Sequence, residues 1–166
     1  MRLICSILAA YCLVACNRYP IDIFPDNVFY GELLKCAQQS DASLYCQAAT
    51  KSRTEFFSAI QFKDDASLVV VSNVGMTAYL QSIGLTQEQF LADNSGRSAF
   101  FANHFVRSKI STNTQGSFTT TSGKTVQVQG GAGSQTLNTI PVAAIVALPD
   151  VQGNTLVKVN QALFTQ

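Results

Sequence analysis

Few residues of this chain could carry chemistry, and the first to weigh is its single histidine. His104 lies in Phe100-Phe-Ala-Asn-His104-Phe105-Val106, on a helical side shared with Phe100, Phe101 and Phe105. A catalytic base needs a proton within reach to abstract, and no Gly-x-Ser-x-Gly elbow is present to offer a serine. The apolar face instead predicts an imidazole held in the core, where acidification would loosen the helix because charging a buried ring is costly. Zinc is a poor fit, since Cys36, Cys46 and His104 give three candidate ligands at no recognised spacing. Gly123-Lys124-Thr125 ends like a phosphate-binding loop, but the earlier glycine it requires falls on Phe118. Gly130-Gly-Ala-Gly133 has no helix after it to offer a dipole. Asp64 and Asp65 are neighbouring carboxylates without further oxygen ligands, which predicts a solvated turn rather than a calcium site. The expectation is a protein with no catalytic residue, no metal and no cofactor.

The first sixteen residues carry a different kind of chemistry. Arg2 is followed by an apolar run from Leu3 to Ala15, too short to cross a hydrocarbon core that needs roughly 20 apolar residues. The run ends in Leu13-Val14-Ala15-Cys16, which resembles the lipobox of bacterial lipoproteins. In that family a small residue precedes the cut and the cysteine after it is acylated, so the resemblance implies a signal peptide over 1–15 and lipidation at Cys16. Asn17 is not the aspartate that retains lipoproteins at the inner membrane in well-known diderms, which favours the outer membrane. Cys5 and Cys12 would leave with the leader. Cys36 and Cys46 would remain as an even pair in an oxidising compartment. They either stand as two buried thiols or form a bridge whose short loop stabilises by about 2.5–3 kcal/mol on the chain-entropy model.

Composition limits the partners. Apolar residues make up 47% of the chain, with 11 phenylalanines, so a packed core is expected. Charged residues are 13%, about half the usual share. Eleven basic residues face ten acidic ones, and loss of Arg2 leaves the rest neutral by count. No Lys/Arg stripe attracts a phosphate backbone, so nucleic acid is not expected.

The elements that must position these residues can be read from pattern. Pro20 and Pro25 keep 16–26 extended as a tether, after which Asp26 or Asn27 caps a helix burying Phe29, Leu33, Leu34 and Ala37. A short helix covers Ser43–Ala49. Ser52-Arg-Thr-Glu55 reads as a capping box before Phe56, Phe57 and Ile60. Ser67–Val71 is a strand buried on both faces. Asn73 caps a helix whose inner face is Met76, Tyr79, Leu80 and Ile83, with Gly84 as its left-handed stop. Thr86-Gln-Glu-Gln89 is a second capping box, turning Phe90 and Leu91 inward. Asn94-Ser95 starts the helix that presents His104. Beyond Ile110, Ser117–Thr121 and Lys124–Gln129 flank Ser122-Gly123 as a hairpin. Strands are expected at Gln135–Ile140, Val142–Leu148 and Asn154–Asn160, with a turn at Asp150–Gly153. Helices first and strands last give an α+β domain over 27–166.

This order of motifs resembles a fasciclin-type (FAS1) domain. The family's strand ending in hydroxyl–Asn is matched by Ser67-Leu-Val-Val-Val-Ser72-Asn73, without the family's phenylalanine and proline. Its helix ending in histidine and two apolar residues is matched at His104-Phe105-Val106. Its final Asn-Gly-x-Ile-x-x-Ile-Asp strand is matched by Gly153-Asn154-Thr-Leu156-Val-Lys-Val159-Asn160, with Asn-Gly inverted and Asn160 for Asp. The resemblance implies N-terminal helices packed on a mostly antiparallel C-terminal sheet or wedge. It also implies that His104 hydrogen-bonds the backbone or Asn73, and that the protein mediates contact rather than catalysis. The expected function is a lipid-anchored envelope protein that docks onto an envelope assembly through protein–protein contact. The alternatives are a structural subunit of a secretion-system outer-membrane complex, a surface adhesin meeting its ligand through Ser111–Gly116 or Gly130–Ser134, and a carrier of a small apolar ligand.

Overall fold

The computed structural model describes residues 41–52, 65–147 and 154–165. The leader with Cys16, the tether, the helix after Asp26, Cys36, the segment containing Phe56, Phe57 and Ile60, and Gly153 lie outside the described residues. The described chain is α+β: four helices and a seven-stranded, mostly antiparallel sheet.

The helices are α1 (Ser43–Lys51), α2 (Asn73–Ser82), α3 (Gln87–Ala92) and α4 (Asn94–His104). Each sends at least one aromatic ring to a common centre: Tyr45 from α1, Tyr79 from α2, Phe90 from α3, and Phe100 and Phe101 from α4. Tyr79 and Phe100 have ring centroids 4.8 Å apart, Tyr45 and Phe101 5.2 Å, and Phe90 and Phe100 5.7 Å. Tilted and edge-to-face pairs of this kind add about 0.5–1.5 kcal/mol each beyond burial, so rings from four separate helices fix their mutual angles.

Local signals act as expected at several helix ends. Thr86 and Gln89 form a reciprocal capping box at the start of α3. Gly84 follows α2 at φ +69°, where a Cβ would be unfavourable. One cap falls one residue before the expected position. Ser72, not Asn73, caps α2, its hydroxyl accepting from Gly75 N at 3.4 Å. The helix expected from Asn94-Ser95 starts at Asn94, and Asp93 caps it, accepting from Gly96 N at 2.9 Å. Ser72 and Asp93 each accept the amide three residues on, which leaves Asn73 and Asn94 for other partners. Ser52 is the C-terminal cap of α1, and its hydroxyl accepts from Arg97 Nε at 2.9 Å. The remainder of the capping box expected there lies outside the described residues.

The strands are β1 (Ser67–Val71), β2 (Phe105–Val106), β3 (Gly116–Thr119), β4 (Thr125–Gln129), β5 (Thr136–Leu137), β6 (Ile140–Ala147) and β7 (Thr155–Val159), in the order β2-β1-β7-β6-β5-β4-β3. Among the described strands only β1 and β7 run parallel, from Ser67 opposite Thr155 to Val71 opposite Val159. Every residue of β1 is buried, as its continuous apolar run requires. The sheet then curls towards itself. Val106 bridges Thr120, Arg107 N donates to Thr119 O at 3.0 Å, and Thr121 N donates to Phe105 O at 2.9 Å. Phe105 thus leaves the helix expected to hold it and starts the strand that closes the wedge.

One expected strand is two elements. Gln135–Ile140 is broken by Asn138 and Thr139, which take φ +49° and +72° and turn β5 back into β6. Asn tolerates the left-handed region, and the turn is locked because Asn138 accepts Gln127 N through its side chain and donates its own N–H to Gln127 O, each at 2.9 Å.

Candidate functional site

His104 ends α4 and is fully buried. Its partners settle its tautomer. Nδ1 lies 2.7 Å from the Phe100 carbonyl, which only accepts, so Nδ1 carries the proton. Nε2 accepts the Leu163 N–H at 3.0 Å. The ring also stacks on Phe100 with centroids 4.1 Å apart. Both nitrogens are therefore engaged, and burial pushes the pKa down to about 4. The Phe100 carbonyl opposes that shift and the nearby Lys124 charge adds to it. In this geometry the ring has neither a free lone pair nor access to solvent. It serves as a pin that fastens the chain's last residues to α4. Leu163 and Ala162 are buried beside it, and Lys124 Nζ sits 5.0 Å above the Phe164 ring.

Asn73 is not the partner of His104. Its Oδ1 accepts Leu44 N at 2.9 Å and its Nδ2 donates to Ser43 Oγ at 3.1 Å. It thus caps α1 from another helix, because Ala42 at that helix start has no side chain to do so. Asp41 completes the junction: its carbonyl accepts Asn73 N at 2.6 Å, and its carboxylate pairs with Lys158. The Lys158 hydrogen bond lowers the Asp41 pKa. Asn154 is also internal, with Oδ1 accepting Ala66 N at 2.8 Å. Asn160 lies at the surface, but its carbonyl approaches α2 so closely that a Cβ on Gly75 would lie 2.7 Å from it. Ser72, Asn73, His104, Asn154 and Asn160 therefore occupy junctions between elements and do not gather into one site. Cys46 is disulfide-bonded, and the other four cysteines lie outside the described residues.

Sequence reasoning missed several buried polar residues, Arg97 and Gln135 among them. Arg97 is 2% exposed and ties Ser52, the Leu91 carbonyl and Asn94 into one joint between α1, α3 and α4. Its spacing held the signal: residues 97, 100, 101 and 104 share one helical face. Gln135 is 5% exposed. Its Nε2 donates to Ser111 O at 2.9 Å and Thr114 O at 2.7 Å, binding the loop at 111–116 to the segment after 130–134. No sequence pattern marks that bond, which spans more than twenty residues.

The two joined loops carry no charged residue and are largely exposed. Together with β6 they enclose a cavity of about 110 Å³ lined by Thr112, Gly131, Ala132, Gly133, Gln135 and residues 142–145. No family model matches the chain, and no curated protein matches it. The geometry offers a sealed imidazole and a neutral surface held in shape by a buried amide.

Proposed function

We propose that the chain is a lipid-anchored envelope protein whose FAS1-like domain acts as a non-catalytic interaction module and docks onto an envelope assembly. The observation that carries this reading is the Gln135 lock, which preorganises the uncharged loops 111–116 and 130–134 as one surface. Preorganised loops spend less of their contact energy on ordering when a partner arrives. The sealed state of His104 agrees with a protein that holds rather than transforms. The lipobox-like Leu13-Val14-Ala15-Cys16 supports attachment through acyl chains, each buried methylene adding about 0.8 kcal/mol, at the periplasmic side or surface of an outer membrane.

Two measurements test this in sequence. Cys16→Ala is expected to move the protein from the membrane fraction to the aqueous one; unchanged fractionation removes the anchor. Affinity capture of the wild-type protein from detergent is expected to return envelope proteins in fixed stoichiometry, and Ala132→Arg to lose them. If Ala132→Arg retains the same set, the loops are not the docking surface.

A further inference from the structure

Residues 161–165 close the core with few fastenings. Among the described residues their one hydrogen bond runs from the Leu163 N–H to His104 Nε2, at 3.0 Å. Ala162 and Leu163 are buried, and Lys124 Nζ lies 5.0 Å over the Phe164 ring. The segment follows β7, whose pairing with β1 and β6 ends at Val159. Segments held by so few bonds open locally, at lower cost than the sheet beside them.

That single bond is built to fail in acid. Neutral His104 donates from Nδ1 to the Phe100 carbonyl and accepts at Nε2. A second proton must enter at Nε2, because a charged imidazole is a donor at both nitrogens. The Phe100 bond survives the change. The Leu163 bond does not: two N–H groups then face each other across 3.0 Å, in a buried place where an unmet donor is costly. Residues 161–165 lie on the Nε2 side, so water reaches the new proton once they move aside.

The surroundings do not favour charging the ring in place. β1, β2 and residues 161–165 contain no titratable side chain. Of the other elements against α4, α1 carries Tyr45 and Lys51, and α2 carries Tyr79. Arg97 lies on α4 itself, Arg107 follows β2, and Lys158 on β7 is paired with Asp41. The carboxylates Glu88 on α3 and Asp93 at the α4 cap stand at the opposite end of α4 from His104. Lys124, just before β4, is the charge that acts on the ring, and it opposes a second one. We propose that residues 161–165 form an acid-released strap: a second proton on His104 turns the Leu163 contact from attraction into repulsion, and the segment leaves the core while the sheet stays paired. Opening brings Ala162, Leu163 and Phe164 out as an uncharged apolar segment that the domain hides at neutral pH. The device requires neither the lipid anchor nor the docking reading.

The test follows amide exchange and the His104 ring nitrogens by NMR on the full chain in detergent, from neutral pH downwards. Val157, paired on both sides in the middle of the sheet, is the internal reference. The Leu163 amide is expected to lose protection by about tenfold or more relative to Val157. Its midpoint is expected to coincide with that of the ring, above the pKa of about 4 that the closed pocket imposes. His104→Gln supplies an oxygen to accept Leu163 N–H and an amide to donate to the Phe100 carbonyl, but no site for a proton. Its strap is expected to stay closed across the same range. Three results overturn the proposal: a ring that titrates while Leu163 stays protected, Leu163 and Val157 opening together, or His104→Gln releasing the segment at the wild-type pH. Should the glutamine variant not fold, the two wild-type midpoints decide alone: coincidence below an intact sheet supports the strap, and separation removes it.

Discussion

His104 ties the protein's stability to pH through a single group. Its folded pKa of about 4 lies below the ordinary value of 6.5, so between these values the unfolded chain binds the proton that the folded one refuses. Stability is therefore complete above pH 6.5, declines as pH falls through that window, and levels off below about pH 4. The full loss is about 3 kcal/mol at about 1.4 kcal/mol per pKa unit. Urea unfolding at pH 7.5 and at pH 4.5 checks the size. As the only histidine, its ring resonances identify the cause: they are expected to stay neutral in the folded protein well below pH 6. A titration near pH 6.5 without loss of structure would mean that the ring is hydrated. Asp41 adds a loss of the same sign at lower pH, since its carboxylate is held below the usual range by Lys158, but it is at the surface, where screening makes ion pairs weak.

At the scale of elements, the caps and joints matter more than propensity. α1 has no cap of its own and depends on Asn73 of α2. Asn73→Ala is expected to cost about 1–2 kcal/mol, the usual range for a lost N-terminal cap, and to raise hydrogen exchange at Leu44 before other helical amides. Unchanged exchange there would show that α1 is held by its packing alone. Much of this layer was legible in the sequence. Thr86 with Gln89, the apolar run of β1, the Ser122-Gly123 turn and the face through Phe100, Phe101 and His104 all obey short-range rules, and all appear. The roles that stayed hidden involve distant partners: Asn73 turned to α1, Arg97 bridged three helices, and Asn138 broke a run that alternation alone reads as one strand. The sequence shows which residues are polar or apolar locally, whereas a side-chain bond across thirty positions depends on the packed whole.

The whole molecule depends on its first and last described strands being brought together, and here the sequence was least informative. Parallel pairing of β1 with β7 joins residues 88 positions apart, and Ser67 and Thr155 reinforce it with hydroxyls 2.7 Å apart. The final segment then covers that junction: Ala162 and Leu163 close the core and Leu163 N–H holds the imidazole. Removing residues 161–166 would expose the leucine's contacts, worth roughly 2–3 kcal/mol for a buried side chain, and delete one hydrogen bond of about 1 kcal/mol. The expected loss is therefore about 3–4 kcal/mol on those two principles, enough to lower the urea midpoint clearly while β1 and β7 still pair. The truncated protein is also expected to show a histidine that titrates closer to 6.5, because Nε2 then faces water. A deletion that shifts neither the midpoint nor the titration would mean that α4 and the sheet hold together without the tail. The segment from 161 onward would then be an appendage rather than part of the core.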